Sequence, residues 1–371
     1  MTAETDKTLP NLRAMAEAPD NPDFFSFPPL TPPPSLSAPF PFGVIGLAHN
    51  HIYEICDGLI GAGATLAAVY DPDPGLCAAF LRRYPQASLC TCAEDVLALP
   101  IRLLASAAVP SERADIAIAA MKAGKDVVVD KAPFLTLDQL QRIRTTIRQT
   151  SRLYSVFYGE SVTNAATLWA GELLRRGVIG PLYHIDGMAP HRLNPAARAD
   201  WFFRRRNTGG ILTDLICHQI HQVLTFTDSR RLIIDRACAA NRFHPEHPEL
   251  DDMGELSLHT PDGITAYLRV DWNAPAGIPT WGDARMILSG RDGYMELRKN
   301  YDLCHGGIGS YIYIVTQTTS ACADVSGKVC TPYFSRLIAD SLSGIRRPED
   351  TERSLYAAET AIRAQILTGR I

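Results

Sequence analysis

The sequence of 371 residues has no long apolar segment and no strong excess of one charge. No apolar run reaches the roughly 18 residues that a membrane span requires. The 36 Lys and Arg residues against 40 Asp and Glu residues give a net charge of −4, which argues against a general nucleic-acid binder because phosphates are neutralised by basic surfaces. The first twenty residues lack a basic start followed by an apolar core, so no secretory signal is expected. These absences predict a cytoplasmic protein that binds neither membranes nor nucleic acid.

Paired cysteines at metal-binding spacing are also lacking. The nine cysteines are odd in number and mostly scattered. Cys90 and Cys92 form a C-x-C pair, but no second pair follows at zinc-finger spacing. We therefore expect reduced thiols and no metal in the site.

Residues 1–40 differ in composition from the rest of the chain. The stretch "FFSFPPLTPPPSLSAPFPF" is dense in proline, which fixes φ and removes backbone donors. We expect an extended arm that lies along the surface or across a partner subunit. A disordered tail is the alternative interpretation.

Residues 41–160 alternate between short apolar runs and segments with helical spacing. The runs "FGVIGLA", "TLAAVYDPDP", "IRLLASAAVP", "DVVVDKAP" and "RLYSVFYG" are typical of buried strands. Strands that alternate with helices predict a doubly wound parallel sheet of the Rossmann type.

Residues 161–371 have a different rhythm. Successive strand patterns follow one another without helices between them, and "GELSLHTPDGITAYLRVDW" is typical of a hairpin with a Pro-Asp-Gly turn. This predicts an α+β domain with a large, mostly antiparallel sheet. Helical patterns occur at "GGILTDLICHQIHQVLTF" and at the end of the chain.

The first strand runs into a loop, "GVIGLAHNHIY", that partly matches a dinucleotide-binding turn. Gly43 is the first residue of this segment. Gly46 takes the first glycine position of G-x-G-x-x-G, and Ala48 and His51 take the second and third. Asp71 ends the second strand, where an acidic residue binds ribose hydroxyls. A 2′-phosphate there would be repelled by Asp71, so NAD is expected in preference to NADP.

The fourth strand ends at Asp130-Lys131, and ligands bind at the carboxyl ends of parallel strands. With its flanking motifs, the chain resembles the Gfo/Idh/MocA family of NAD(P)-dependent oxidoreductases. The segment Asp130-Lys131-Ala132-Pro133 is similar to the Glu-Lys-Pro signature of that family, with Asp for Glu and an added Ala. "GGILTDLICHQIHQVL" resembles its Gly-Gly…Asp-x-x-x-His motif, matching Asp214 and His218.

The resemblance implies a hydride transfer between nicotinamide and a secondary alcohol or ketone of a sugar, polyol or cyclitol. It implies that Lys131 and His218 share the proton transfer and that Asp214 positions substrate hydroxyls. Beside a cationic cofactor, the pKa of a partly buried Lys131 is expected to be lowered. The family also implies homodimers or homotetramers that pack through the C-terminal sheet.

The loop, the strand ends and the resemblance together predict two sets of binding residues. Cofactor contacts are expected from Gly43, Gly46, Ala48, His49, Asn50, His51, Asp71, Pro110, Asp130 and Lys131. Substrate contacts are expected from Tyr158, Glu160, His191 and His221.

Two alternatives remain open from the sequence. The departures at Ala48, His51 and Ala132 also fit a sensor or scaffold of the same fold that binds cofactor or sugar without turnover. Asp214, His218 and His221 share a helical face and have side chains of the kind that ligate metals. The second alternative is therefore a metal-dependent lyase or hydrolase.

Overall fold

The structure, a computed structural model, describes residues 24–30, 36–305 and 307–370. Much of the predicted arm, residues 1–23 and 31–35, lies outside the described residues. The described part packs on the chain itself: Trp169 Nε1 donates a hydrogen bond of 3.0 Å to Phe24 O. The ring of Phe27 lies 4.5 Å from that of Trp169. Among the described residues, no helix has both the length and the apolarity needed to cross a bilayer.

The N-terminal part contains a six-stranded parallel sheet in the order β3-β2-β1-β4-β5-β6. Strands β4 and β5 are buried along their whole length, as expected for strands covered on both faces. This order is that of a Rossmann fold, and the predicted fold class is confirmed. The strands are β1 (Pro41–Ile45), β2 (Thr65–Tyr70), β3 (Ser88–Leu89), β4 (Leu103–Ser106), β5 (Asp126–Asp130) and β6 (Tyr154–Phe157).

Helices cover this sheet, and local signals set several of their starts. Asp73 caps α2 by accepting from the N–H groups of Gly75 and Leu76, and Thr136 and Gln139 form a capping box at α5. The helices are α1 (His51–Gly61), α2 (Pro74–Arg83), α3 (Ala93–Ala98), α4 (Pro110–Lys122), α5 (Leu137–Thr150) and α6 (Gly159–Val162).

The C-terminal part contains an eight-stranded sheet in the order β16-β15-β12-β11-β7-β10-β9-β8. All neighbours are antiparallel except β7 and β10. The predicted hairpin is present: Thr260 N donates to Ile264 O, and Gly263 has a φ of +93° in the turn. Its strands are β7 (Leu182–Pro190), β8 (Ile233–Ala240), β9 (Met253–His259), β10 (Thr265–Asp271), β11 (Arg285–Gly290), β12 (Gly293–Arg298), β15 (Tyr311–Thr316) and β16 (Ser320–Asp324). Two short strands, β13 (Tyr301–Asp302) and β14 (Gly307–Ile308), form a separate antiparallel pair.

One helix, α9 (Cys217–Thr227), connects the C-terminal sheet to the Rossmann part. Its Gln219 side chain donates to Arg269 O on β10, and Gln222 donates to Glu160 O after β6. A π-helical turn, Leu212–Ile216, precedes it, where the sequence predicted uninterrupted helix. The helices here are α7 (Ala165–Arg175), α8 (Arg205–Thr208), α9 (Cys217–Thr227), α10 (Tyr333–Ser343) and α11 (Pro348–Leu367), with 3₁₀ turns at Pro195–Ala197 and Asp200–Phe203.

Candidate active site

The loop after β1 passes close to the end of β4. Gly46 has a φ of +90°, and a Cβ at this position would approach Ala108 Cα to 2.7 Å. Both the backbone conformation and the available space therefore require glycine. Gly43, inside β1, would place a Cβ 2.7 Å from Val96 Cγ1, so it permits close helix–strand packing.

The loop leads into the N-terminal end of α1, which borders a cleft. Ala48, His49 and Asn50 line this cleft. The Asn50 side chain does not cap α1 within the described part of the chain. Because the N-terminal end of a helix carries partial positive charge and N–H groups directed outward, the cleft suits a pyrophosphate.

Asp71 lies on the same cleft, at the end of β2. Its carboxylate accepts hydrogen bonds from Leu47 N at 2.7 Å and from Asp73 N at 2.8 Å. Each oxygen retains acceptor capacity for a ribose hydroxyl. Glu112 also lines the cleft, and burial, with the charge of Asp71, raises its pKa.

Asp130, at the end of β5, is fully buried among three nitrogen-bearing side chains. His49 Nδ1 lies 3.0 Å and Arg113 Nη2 3.1 Å from Oδ2, while His51 Nδ1 lies 2.8 Å from Oδ1. Burial alone would raise the pKa of Asp130, but the charges of these neighbours hold it well below its usual value. Burial lowers the pKa of His49 to about 4.

Potential ligand atoms of His49, His51 and Asp130 lie within 4.8 Å of one another, spacing that could hold a metal ion. The guanidinium of Arg113 already faces the carboxylate, and a divalent cation there would be repelled by it. A His51 Nδ1–H donor accounts for its short distance to Oδ1 without a metal. Among the described residues Oδ2 has no hydrogen-bond partner, and His49 Nδ1 accepts from His51 N at 3.4 Å, so we interpret the contacts of Oδ2 with His49 and Arg113 as electrostatic.

Lys131 and Asp214 form a buried ion pair where the two parts of the chain meet. Lys131 Nζ lies 2.6 Å from Asp214 Oδ1 and donates to Asp214 O at 3.0 Å. Burial would lower the pKa of Lys131, but the carboxylates of Asp214 and Asp130 outweigh it and raise the pKa. The pKa of Lys131 is therefore raised, whereas the sequence led us to expect a lowered one. Burial would raise the pKa of Asp214, but Lys131 lowers it to about 2.

His218 lies next to this pair on α9. Its ring centroid is 6.2 Å from that of His51 and 5.8 Å from that of Tyr158. Burial is the main cause that holds its pKa well below the usual value, and the charge of Lys131 adds to it. Within the described residues Nδ1 has no hydrogen-bond partner. A neutral imidazole therefore stands beside a charged ammonium group.

The charge of Glu160 acts on both His218 and His191. Glu160 Oε2 lies 2.8 Å from Lys299 Nζ; burial would raise the pKa of Glu160, but Lys299 lowers it to about 2. His191 Nδ1 lies 2.8 Å from Ala189 O, consistent with an Nδ1–H donor. Burial lowers its pKa to about 4.

Two residues predicted to contact substrate have polar groups that meet α11. Tyr158 Oη donates to Ser354 O at 3.1 Å, and His221 Nε2 lies 3.5 Å from Ser354 Oγ. The Tyr158 ring stacks on His221, 4.6 Å between centroids, with His218 on its other side. Pro110 is the first residue of α4 and is buried.

Sequence reasoning missed three cations of this region: Arg113, Arg198 and Lys299. Arg113 donates through Nε to Ala108 O at 2.7 Å. The sequence pattern that could have identified it is a charged residue on the buried side of a helix. Arg198 lines the cleft and lies over the Phe202 ring at 4.4 Å. Lys299 follows an amphipathic strand and has no local signal, because its partner Glu160 is distant in sequence.

Comparison with known proteins adds independent findings. Residues 40–158 match the model of the Gfo/Idh/MocA oxidoreductase family, NAD-binding Rossmann fold, and residues 167–296 match the Gfo/Idh/MocA C-terminal domain. The chain is 32% identical over 110 residues to the uncharacterized oxidoreductase YdgJ of Escherichia coli K12, an alignment that covers 30% of this chain and 31% of that relative.

Solved structures share the fold over most of the chain. A protein classed as an oxidoreductase from Erwinia carotovora atroseptica is 36% identical, with a TM-score of 0.84, covering 88% of this chain and 98% of the other. Myo-inositol 2-dehydrogenase from Lactobacillus plantarum is 15% identical, with a TM-score of 0.73, covering 90% and 98%. At 15% identity the second likeness concerns the fold alone.

Proposed function

Because this chain belongs to the Gfo/Idh/MocA family of oxidoreductases, we propose that it transfers a hydride between a nicotinamide dinucleotide and a secondary alcohol or ketone. The substrate class proposed is a sugar, polyol or cyclitol, in line with the inositol dehydrogenase that shares the fold. The observation that carries the proposal is the charged Lys131–Asp214 pair beside the neutral His218 at the strand ends.

The two groups have pKa values displaced in opposite directions, which is the arrangement that separates proton donor from proton acceptor. Lys131, with its raised pKa, stays an ammonium group and stabilises negative charge on the substrate oxygen. His218, with its lowered pKa, is neutral and accepts the hydroxyl proton when an alcohol is oxidised. A nicotinamide dinucleotide, held by the cleft that Gly46 and Asp71 line, would supply the hydride acceptor. In reduction the same residues act in reverse order.

Asp214 holds Lys131 in its charged state through direct contact with the ammonium group. Glu160, fixed by Lys299, acts against burial: its negative charge opposes the lowering of the pKa of His218 and of His191. We propose that Asp214, Glu160 and His191 also receive substrate hydroxyls, because carboxylates and a free imidazole nitrogen are suitable acceptors.

NAD is proposed as the preferred cofactor. Asp71, Asp73 and Glu112 line the cleft, and within the described residues Arg198 is the one cation among its lining groups. A 2′-phosphate beside Asp71 would face like charges. Pro72 takes the place where an NADP enzyme commonly carries Arg, and Arg83 pairs with Asp57 at the surface.

We propose a homodimer or homotetramer formed through the C-terminal sheet. Ile287 and Tyr294 are exposed on the neighbouring strands β11 and β12, and Tyr267 is exposed on β10, which β7 separates from β11. Exposed apolar side chains of this kind are suited to a subunit interface. Light scattering after size exclusion gives the mass. Tyr294→Glu is expected to shift it toward one chain, and an unchanged oligomer would contradict the assignment of the face.

The activity is tested by turnover on a panel of polyols, cyclitols and sugars with NAD, followed at 340 nm. The proposal expects NADH formation with at least one member of the panel, and loss of that signal in Lys131→Ala. Tight NAD binding without hydride transfer across the panel would favour the sensor reading and contradict the proposal.

A further inference from the structure

A second cavity lies behind α9, away from the dinucleotide cleft. It encloses about 270 Å³ where β6, α6, α7 and α9 meet α10 and α11. This volume is close to the lower end of the roughly 300–1,000 Å³ typical of small-molecule sites. We refer to it as the rear cavity. It shares no lining residue with the dinucleotide cleft.

Buried polar groups of the rear cavity lack partners. Tyr154, Ser161 and His221 line it and are 2%, 5% and 8% exposed. Among the residues that the structure describes, Tyr154 Oη, Ser161 Oγ and His221 Nδ1 have no hydrogen-bond partner. Leaving such groups unpaired is costly, so these three atoms point to a polar occupant.

The rim of the cavity carries an excess of positive charge. Asp350 lies between two guanidinium groups, at 3.6 Å from Arg353 Nη1 and 3.8 Å from Arg336 Nη2. These distances are longer than those of a charge-assisted hydrogen bond, about 2.7–2.9 Å. Arg347 donates two hydrogen bonds to Asp340, of 2.6 and 3.0 Å. Arg353 Nη2 donates to the exposed carboxylate of Asp228 at 2.7 Å. Within the described residues, Arg336 and the Nε and Nη1 groups of Arg353 therefore retain donors for an anion.

We propose that the rear cavity is a second ligand site, which takes a small hydroxylated molecule carrying a phosphate or carboxylate group. Arg336 and Arg353 bind the anionic group at the rim, because guanidinium groups are suited to oxyanions. Ser161 and His221 bind the hydroxyl groups deeper in the cavity. This site goes beyond the proposed oxidoreductase activity and does not depend on it.

The position of the cavity relates it to the active site. His221 lies one helical turn after His218 on α9, and the Tyr158 ring contacts both imidazoles, stacked on His221 at 4.6 Å and edge-on to His218 at 5.8 Å. Gln222, the next residue, donates to Glu160 O. An occupant that contacts His221 therefore acts on the helix that carries His218.

Binding is measured by calorimetry on the full-length protein, with and without saturating NAD. The probes are glycerol 3-phosphate, inorganic phosphate and glycerol, which separate the anionic group from the hydroxyl groups. The expected order of affinity is glycerol 3-phosphate, then phosphate, with glycerol weakest. Arg353→Gln is expected to weaken glycerol 3-phosphate binding about tenfold, the scale of one charge-assisted contact.

The matched control is Arg363→Gln on the same helix, where Arg363 pairs with Glu359 and does not line the cavity; it should change affinity less than twofold. Ser161→Ala provides a second test with opposite signs: it should raise the melting temperature of the ligand-free protein and reduce the rise that glycerol 3-phosphate produces. Failure of both anions to bind the wild-type protein, or equal binding by Arg353→Gln and Arg363→Gln, would overturn the proposal. Neither result bears on hydride transfer.

Discussion

The cluster of Lys131, Asp214, His218 and Glu160, which we call the front site, and the rear cavity adjoin the same helix, α9, but differ in whether they contain buried ion pairs. In the front, the buried charges of Lys131 and Glu160 face a partner at hydrogen-bond distance, 2.6 Å from Asp214 and 2.8 Å from Lys299. In the rear, buried Ser161 Oγ and His221 Nδ1 have no partner within the described residues. Paired charges fix the protonation states needed for chemistry, whereas unpaired neutral groups are available to a ligand.

The largest effect is expected from breaking the front pair at Lys131. In Lys131→Ala the substrate oxygen loses its cation and Asp214 is left buried without it. Turnover is expected to fall by about 10²–10⁴, the range for a lost acid–base or electrostatic group, while NAD binding is retained. Steady-state kinetics and NAD titration measure this. Lys122→Ala, at the end of α4, is the control; equal turnover in the two variants would remove Lys131 from the mechanism.

Removing the partner of Glu160 should mainly affect stability. Lys299→Met leaves a buried carboxylate uncompensated, which costs about 3–5 kcal/mol for a broken buried pair. Urea denaturation measures the free energy of unfolding. The double variant Lys299→Met/Glu160→Gln is expected to recover part of the loss. Arg291→Met breaks the exposed pair with Asp292 and should cost no more than about 1 kcal/mol. A similar loss of unfolding free energy in Lys299→Met and Arg291→Met would contradict the expected difference between a buried and an exposed ion pair.

The preference for NAD over NADP tests the role of the acidic residues that line the dinucleotide cleft. NAD is expected to bind roughly ten- to a hundredfold more tightly than NADP, equivalent to about 1–3 kcal/mol. Asp71→Asn keeps an acceptor for Leu47 N but removes the negative charge. This variant should therefore reduce the ratio of NAD affinity to NADP affinity. Asp115→Asn, at an exposed site on α4, is the control. Calorimetry with each cofactor measures the ratio, and tighter NADP binding by the wild-type protein would mean that Asp71 does not face the ribose.

The buried imidazoles predict a loss of stability in mild acid. Burial lowers the pKa of His49 and His191 to about 4 and that of His221 to about 3. The unfolded chain therefore binds more protons than the folded one between about pH 6.5 and 4, and the free energy of unfolding falls as pH falls through this window. Each such histidine contributes about 1.4 kcal/mol per pH unit. Urea denaturation between pH 7 and 4.5 measures the slope of the unfolding free energy against pH. His221→Gln should reduce this slope, and an unchanged slope in the variant would contradict the prediction.

Much of the fold was predictable from local patterns. Apolar runs marked the buried strands β1, β2, β4, β5 and β6, and the Pro-Asp-Gly turn marked the β9–β10 hairpin. The two-residue strand β3 was too short to leave a periodic signal. The π-helical turn Leu212–Ile216 was missed because helical spacing does not distinguish 3.6 residues per turn from a wider turn.

The composition of the site was harder to predict. Lys131, Asp214 and His218 were found through motifs, and the structure brings them together. Lys299 and Arg113 were not found, because their roles depend on partners that only the folded chain places beside them: Glu160 for Lys299 and Asp130 for Arg113. The rear cavity arises where α10 and α11 return to β6, a long-range contact that no local pattern encodes.

The pH dependence of kcat/KM with NAD, compared between wild type and His218→Gln, tests the central claim most directly. The account predicts an acid limb in the wild-type enzyme that begins well below pH 6.5, because burial holds the pKa of His218 well below its usual value and only the protonated ring is unable to accept the hydroxyl proton. In His218→Gln we expect kcat/KM to fall by about a hundredfold and to lose this acid limb. An unchanged rate with the same acid limb in the variant would contradict the account.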